Sequence, residues 1–98
     1  MASNSVSPIT LAQRATRSDE VLFQEVGGES VLLDLASEQY FGLDPVGTRI
    51  WTLLGEDDRL GSVHAALCDV YDADPTRIAS DLITLVGRLA DAGLVKVA

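Results

Sequence analysis

The dipeptide Asp44-Pro45 divides this chain into two stretches with different apolar periodicity. An aspartate accepts bonds from the free amides at a helix start. A proline suits the first helical position, because its missing N–H would have no partner there. Asp74-Pro75 repeats the same signal further along. Before Asp44 the apolar runs are short and β-prone; after Pro45 the apolar residues recur at helical spacing.

The first stretch reads as an antiparallel meander. Val21–Val26 is a strand, and Gly27-Gly28 supplies the positive φ that both positions of a two-residue hairpin turn require. Ser30–Leu35 is the second strand, Ala36-Ser37-Glu38 a short connection, and Gln39–Leu43 the third strand. In such a meander the first and third strands lie at the edges.

Three helices follow. Val46, Ile50, Trp51, Leu53 and Leu54 give the first one a buried face, and Gly55 is its expected stop. The second runs over Leu60–Tyr71, with Leu60, Val63, Leu67, Val70 and Tyr71 on one face. The third runs from Asp74-Pro75 to Ala92 and stops at Gly93, before the short apolar tail Leu94–Val97. Strands and helices are segregated, so the fold class is α+β: a three-stranded antiparallel sheet followed by three helices, a winged helix-turn-helix. Residues 1–19, rich in Ser, Ala and Thr, read as a flexible N-terminal arm with a short strand near Ile9–Leu11, and 20–98 as the folded domain.

Composition excludes several roles. Seven Lys and Arg stand against fifteen Asp and Glu, for a formal charge of -8. Nucleic-acid binders need clustered cations, so the expected partners include no nucleic acid; an acidic surface favours a basic peptide. The one cysteine, Cys68, has no internal partner, which fits a reducing compartment. No basic-then-apolar signal segment opens the chain, and no apolar run is long enough to span a bilayer. A cytoplasmic location, with no membrane partner, is expected.

Residues that could carry chemistry have ordinary explanations. His64 and Cys68 share a helix face, but no second His or Cys completes a zinc site. Asp69, Asp72 and Asp74 lack the glycine and closing glutamate of a calcium loop. Asp19-Glu20 and Asp57-Asp58 are loop charges, and Trp51 belongs to a core face. No nucleophile–base pair stands out. An enzyme is not expected, and neither a cofactor nor a metal is called for.

Two features point to peptide binding instead. The third helix carries two apolar stripes, Ile78, Leu82, Leu85, Leu89 and Ala79, Ile83, Val86, Ala90. Together they span roughly 160°, more than the ordinary surface helix needs. Moreover, the third strand carries no Lys and no Pro to block its edge, and Gly42 admits a close backbone. Adding an extended peptide to such an edge is a known recognition mode.

The run VLLDLASEQYFGLDPVGTRIWTLL, Val31–Leu54, resembles the PqqD-like family, the peptide-recognition elements of ribosomal modified-peptide biosynthesis. The likeness lies in Leu33-Asp34, in Tyr40-Phe41-Gly42-Leu43, and in Gly47, Ile50 and Trp51. It continues through Tyr71, Asp74, Asp81-Leu82, Leu89 and Gly93-Leu94-Val95. The resemblance implies a winged helix without DNA binding, in which a leader peptide adds as a strand to the third β-strand and lies against the third helix. Carried over, the peptide-binding residues are Gln39, Tyr40, Phe41, Gly42 and Leu43 for pairing. Ile78, Leu82, Leu85 and Val86 form the apolar wall, and Asp81 would meet a basic leader residue.

A stand-alone acidic member of this size looks most like the recognition proteins of lasso-peptide pathways. Their partners are the precursor leader, usually with a Tyr-x-x-Pro element, a leader peptidase and an ATP-dependent cyclase. The alternative within the family is the chaperone of pyrroloquinoline quinone synthesis, serving a radical-SAM enzyme. A DNA-binding winged helix is the remote rival. Family members can exchange elements between chains, so the oligomeric state stays open.

Overall fold

The computed structural model describes residues 9–98. Its elements are β1 (Ala15–Arg17), β2 (Val21–Val26), β3 (Glu29–Asp34), β4 (Gln39–Leu43), α1 (Pro45–Glu56), α2 (Leu60–Val70), α3 (Pro75–Asp91) and β5 (Val95–Val97). The main sheet has the order β2-β3-β4, antiparallel throughout, so β2 and β4 are its edges. Gly27 and Gly28 take φ of 63° and 88° and make the two-residue turn between β2 and β3.

The predicted helix starts hold. Asp44 Oδ1 accepts from the Gly47 amide at 2.7 Å, and Asp74 Oδ1 from the Thr76 amide at 2.8 Å, with proline at the start of each helix. Gly93, at φ 78°, ends α3. Its amide donates to Ala90 O at 3.0 Å and that of Leu94 to Leu89 O at 2.9 Å, the paired bonds of a glycine-terminated helix. Leu94 is thereby turned into the core, where it is 2 % exposed.

Gly55 does not stop α1. The helix runs on to Glu56 and is capped by Asp57. Gly55 serves a different purpose: a Cβ there would fall on the guanidinium of Arg17, which lies over the Trp51 ring at 5.2 Å and donates to Trp51 O at 3.3 Å.

A second, two-stranded sheet joins the chain's distant ends. β1 pairs antiparallel with β5, and Arg14 and Ala98 exchange backbone bonds of 2.9 and 3.0 Å. The strand expected near Ile9–Leu11 therefore forms at Ala15–Arg17 instead, with Ala15 fully buried. Residues 9–19 are built into the domain by these bonds, and the rest of the expected arm, residues 1–8, lies outside the described residues.

The helices hold most of the core. Ile50, Trp51 and Leu54 of α1, Leu60, Val63 and Leu67 of α2, and Leu82, Val86 and Leu89 of α3 are all buried. From the main sheet Leu32 and Leu43 reach into this core. A buried hydrogen bond of 2.7 Å between the Ser30 and Thr48 hydroxyls ties β3 to α1. β2 lies off the core: five of its six residues are exposed, so it projects as a wing.

Candidate functional site: a groove beside the β4 edge

The hairpin turn fixes which backbone groups are free. In a two-residue hairpin the flanking pair, here Val26 and Glu29, exchanges both of its bonds, and bonded pairs then alternate along the ladder. The bond from Leu35 N to Glu20 O, 2.9 Å, follows the same alternation. The residues of β3 that face β4 are thus Ser30, Leu32 and Asp34, bonded to Leu43, Phe41 and Gln39. Tyr40 and Gly42 are left with N–H and C=O groups directed away from β3, at the open edge.

Alternation also sorts the side chains. Phe41 and Leu43 share the inner face with Leu32, whereas Tyr40 stands on the outer face, 74 % exposed. Gly42 adds nothing to that face, and a Cβ placed on it would meet no atom within 4 Å.

Between the β4 edge and α3 runs a groove of about 430 Å³. Gly42 and Leu43 form one wall and Asp81, Thr84, Leu85 and Arg88 of α3 the other. Asp44, Val46, Gly47 and Ile50 from the start of α1 complete it. Leu85 is half-buried and Val46 is 40 % exposed, so both offer apolar surface. Arg88 reaches back over the Phe41 ring at 5.2 Å from its centroid, linking the two walls. Asp81 is well exposed and only loosely paired with Arg77, at 3.8 Å. Its carboxylate is open to a basic ligand.

Of the residues expected here, Gly42, Leu43, Asp81 and Leu85 line the groove, and Tyr40 presents a free edge. Gln39 and Phe41 direct their backbone groups into the β3 ladder. Ile78, Leu82 and Val86 are corrected: at 8, 0 and 0 % exposure they are filled in by the chain's own core and present no wall. The broad arc of α3 is explained in the same way. α2 packs on one side of it and β5 on another, and Ile9 lies close to Gly87.

Val46 was expected on the buried face of the first helix but opens into the groove, because it sits in the first turn where no second helix covers it. Thr84 and Arg88 carried no sequence signal beyond lying beside Leu85 on a helical face. Asp44 was legible only as a cap.

His64 and Cys68 do approach, with Sγ 3.5 Å from Nε2. The same Nε2 lies 2.8 Å from the Pro75 carbonyl oxygen, which can only accept. Nε2 therefore carries the proton and has no lone pair with which to activate the thiol. Among the described residues no three His, Cys, Asp or Glu side chains converge as a metal site requires, and no helix is long and apolar enough to cross a membrane.

Comparison with known proteins bears on this groove. Among curated proteins none matches the chain. A solved structure of TbiB1 in complex with the TbiA(beta) leader peptide superposes with a TM-score of 0.78. It is 38 % identical in sequence over 83 % of this chain and 94 % of that one. The family model for PqqD, coenzyme PQQ synthesis protein D, matches residues 29–95. That span begins at β3, ends in β5 and takes in both walls of the groove, and by it the chain belongs to the PqqD family.

Proposed function

We propose that this protein captures the leader segment of a ribosomally made precursor peptide, of the lasso-peptide type, and delivers it to a leader peptidase and an ATP-dependent cyclase in the cytoplasm. It catalyses nothing itself. The observation that carries this reading is the free β4 edge at Tyr40 and Gly42 running beside a groove walled by Leu85. The leader bound by TbiB1, a relative at 38 % identity, supports carrying the ligand class over.

The energetics are adequate. Two outward residues offer up to four backbone bonds, each worth about 1 kcal/mol net. One large apolar leader side chain against Leu85 and Val46 adds roughly 1.5 to 3 kcal/mol. Ordering a disordered leader offsets part of the sum. Holding the precursor near its enzymes then raises its effective concentration there.

The test is a fluorescence-polarisation titration with labelled lasso-type leaders, with and without the Tyr-x-x-Pro element. Saturable binding that needs both residues supports the reading. Binding only to the precursor of pyrroloquinoline quinone would move the protein to the alternative that its family's description suggests. A DNA-binding role is disfavoured by α3 itself, whose exposed residues Arg77, Asp81, Arg88 and Asp91 set two acids against two bases.

A further inference from the structure

The opposite edge of the same sheet, β2, is also unpaired. On β2 the ladder alternation directs the backbone groups of Val21, Phe23 and Glu25 away from β3. Among the described residues no hydrogen bond reaches them. The strand holds no Lys and no Pro, and its one charged residue, Glu25, is negative and would not repel a basic strand.

Beside it lies an open groove of about 760 Å³ between β2, the β1–β2 connection and the end of α1. Phe23, 39 % exposed, lines it together with the buried Trp51 and Leu54. Arg17, whose guanidinium lies against Gly55 and over the Trp51 ring, lines the same groove.

Charge selects the occupant. Asp19, Glu56, Asp57 and Asp58 line the groove against one guanidinium, that of Arg17. Asp57 and Asp58 are held by Arg59 and Arg14 at 2.8 and 2.9 Å. Asp19 and Glu56 have no ion-pair partner among the described residues, and Glu20 follows Asp19 directly in the β1–β2 connection. A second copy of a chain with net charge -8 would bring this acidic edge against itself.

We infer that β2 is a second strand-addition edge, and that it takes an extended basic segment of a partner protein. Its backbone would pair with Val21, Phe23 and Glu25, and its Lys or Arg side chains would meet Asp19 and Glu56. Strands added at β4 and β2 would lie four strand spacings apart, about 19 Å, so both edges can be filled at once. The site does not depend on the β4 reading, and its failure would leave that reading standing.

The experiment is an amide-resolved NMR titration of the full chain with a blocked octapeptide alternating Lys and Val, and with its Glu–Val counterpart. The expected result is saturable shifts at the Val21, Phe23, Glu25 and Glu56 amides with the Lys peptide only. They should persist when Gly42→Pro closes the β4 edge. Reversing both free carboxylates, Asp19→Lys with Glu56→Lys, should raise the Kd about tenfold while leaving the rest of the spectrum in place. Shifts confined to the β4 groove, equal shifts with the Glu peptide, no shift at all, or self-association through β2 would each overturn the inference.

Discussion

The Arg88 guanidinium on α3 lies 5.2 Å from the centroid of the Phe41 ring on β4. The contact joins the two walls of the proposed leader groove across a space that no backbone bond spans. Strand alternation sets Phe41 on the inner face, and the contact adds a side-chain link between β4 and α3 beside Leu85. Arg88 is exposed and the Phe41 ring half-buried, and a cation over a ring at such a solvated site is worth about 0.5 to 1 kcal/mol. Arg88→Ala should therefore leave the protein folded and weaken leader binding about two- to fivefold, read by the same polarisation titration. Unchanged affinity would remove this contact from the site.

The edge itself is tested by a matched pair of substitutions. The Gly42 N–H faces outward and serves no bond within the sheet, whereas that of Phe41 bonds to β3. Gly42→Pro should keep the thermal midpoint close to the parent's and weaken leader binding about tenfold or more. Phe41→Pro breaks the ladder and should lower the midpoint clearly. If both behave alike, the assignment of outward residues is wrong.

A second matched pair separates groove from core. Leu85→Asp places a charge on a half-buried wall and should weaken leader binding with the fold retained. Leu82→Asp places it where the side chain is fully buried, and the chain should fail to fold cooperatively. Circular dichroism melts beside the titration distinguish the two. A folded Leu82→Asp protein that no longer binds leader would restore Leu82 to the site.

Thr48→Val strands the Ser30 hydroxyl in the interior, at a cost of about 1 to 3 kcal/mol in chemical denaturation. Adding Ser30→Ala should recover part of that loss, because both polar groups are then gone. No recovery would mean that the bond matters less than the packing around it.

Asp57 sets a pH expectation. Arg59 donates to its carboxylate through Nε at 3.0 Å and Nη2 at 2.8 Å, holding it well below the usual carboxylate range. A carboxyl depressed in the folded state contributes stability above its unfolded pKa and loses it as pH falls through the folded value. Asp57 should thus stay ionised at pH 3, where an ordinary aspartate is mostly protonated, as a carboxyl-detected NMR titration would read. A midpoint in the ordinary range would contradict the pairing. The pair is exposed, so its share of stability is small.

The parts of the fold legible in the sequence are those fixed by local chemistry. Gly27-Gly28, Asp44-Pro45, Asp74-Pro75 and Gly93 each impose a conformation on the residue that carries it, and each marks a boundary where expected. Gly55 carried the same helix-stop signal but answers to a distant residue, Arg17, and so misled. β1 and β5 are three residues each and stabilise one another only across the whole chain, which no local pattern records.

The site was half legible for a related reason. Strand periodicity and a missing edge guard mark Gln39–Leu43 as the strand proposed for pairing, and the structure leaves its outer edge open. Helical periodicity could not say which apolar stripe of α3 the chain itself would cover. Ile78, Leu82 and Val86 went inside and Leu85 did not, because α2 and β5 approach α3 from the other sides.

Amide hydrogen exchange at Tyr40 and Gly42, with and without a bound leader, tests strand addition to β4 most directly. Both amides face open solvent in the free protein, while those of Phe41 and Leu43 are already bonded to β3. Leader binding should slow exchange at Tyr40 and Gly42 and leave Phe41 and Leu43 little changed. A leader that binds without protecting Tyr40 or Gly42 would show that it is held elsewhere, and the account of this groove would fail.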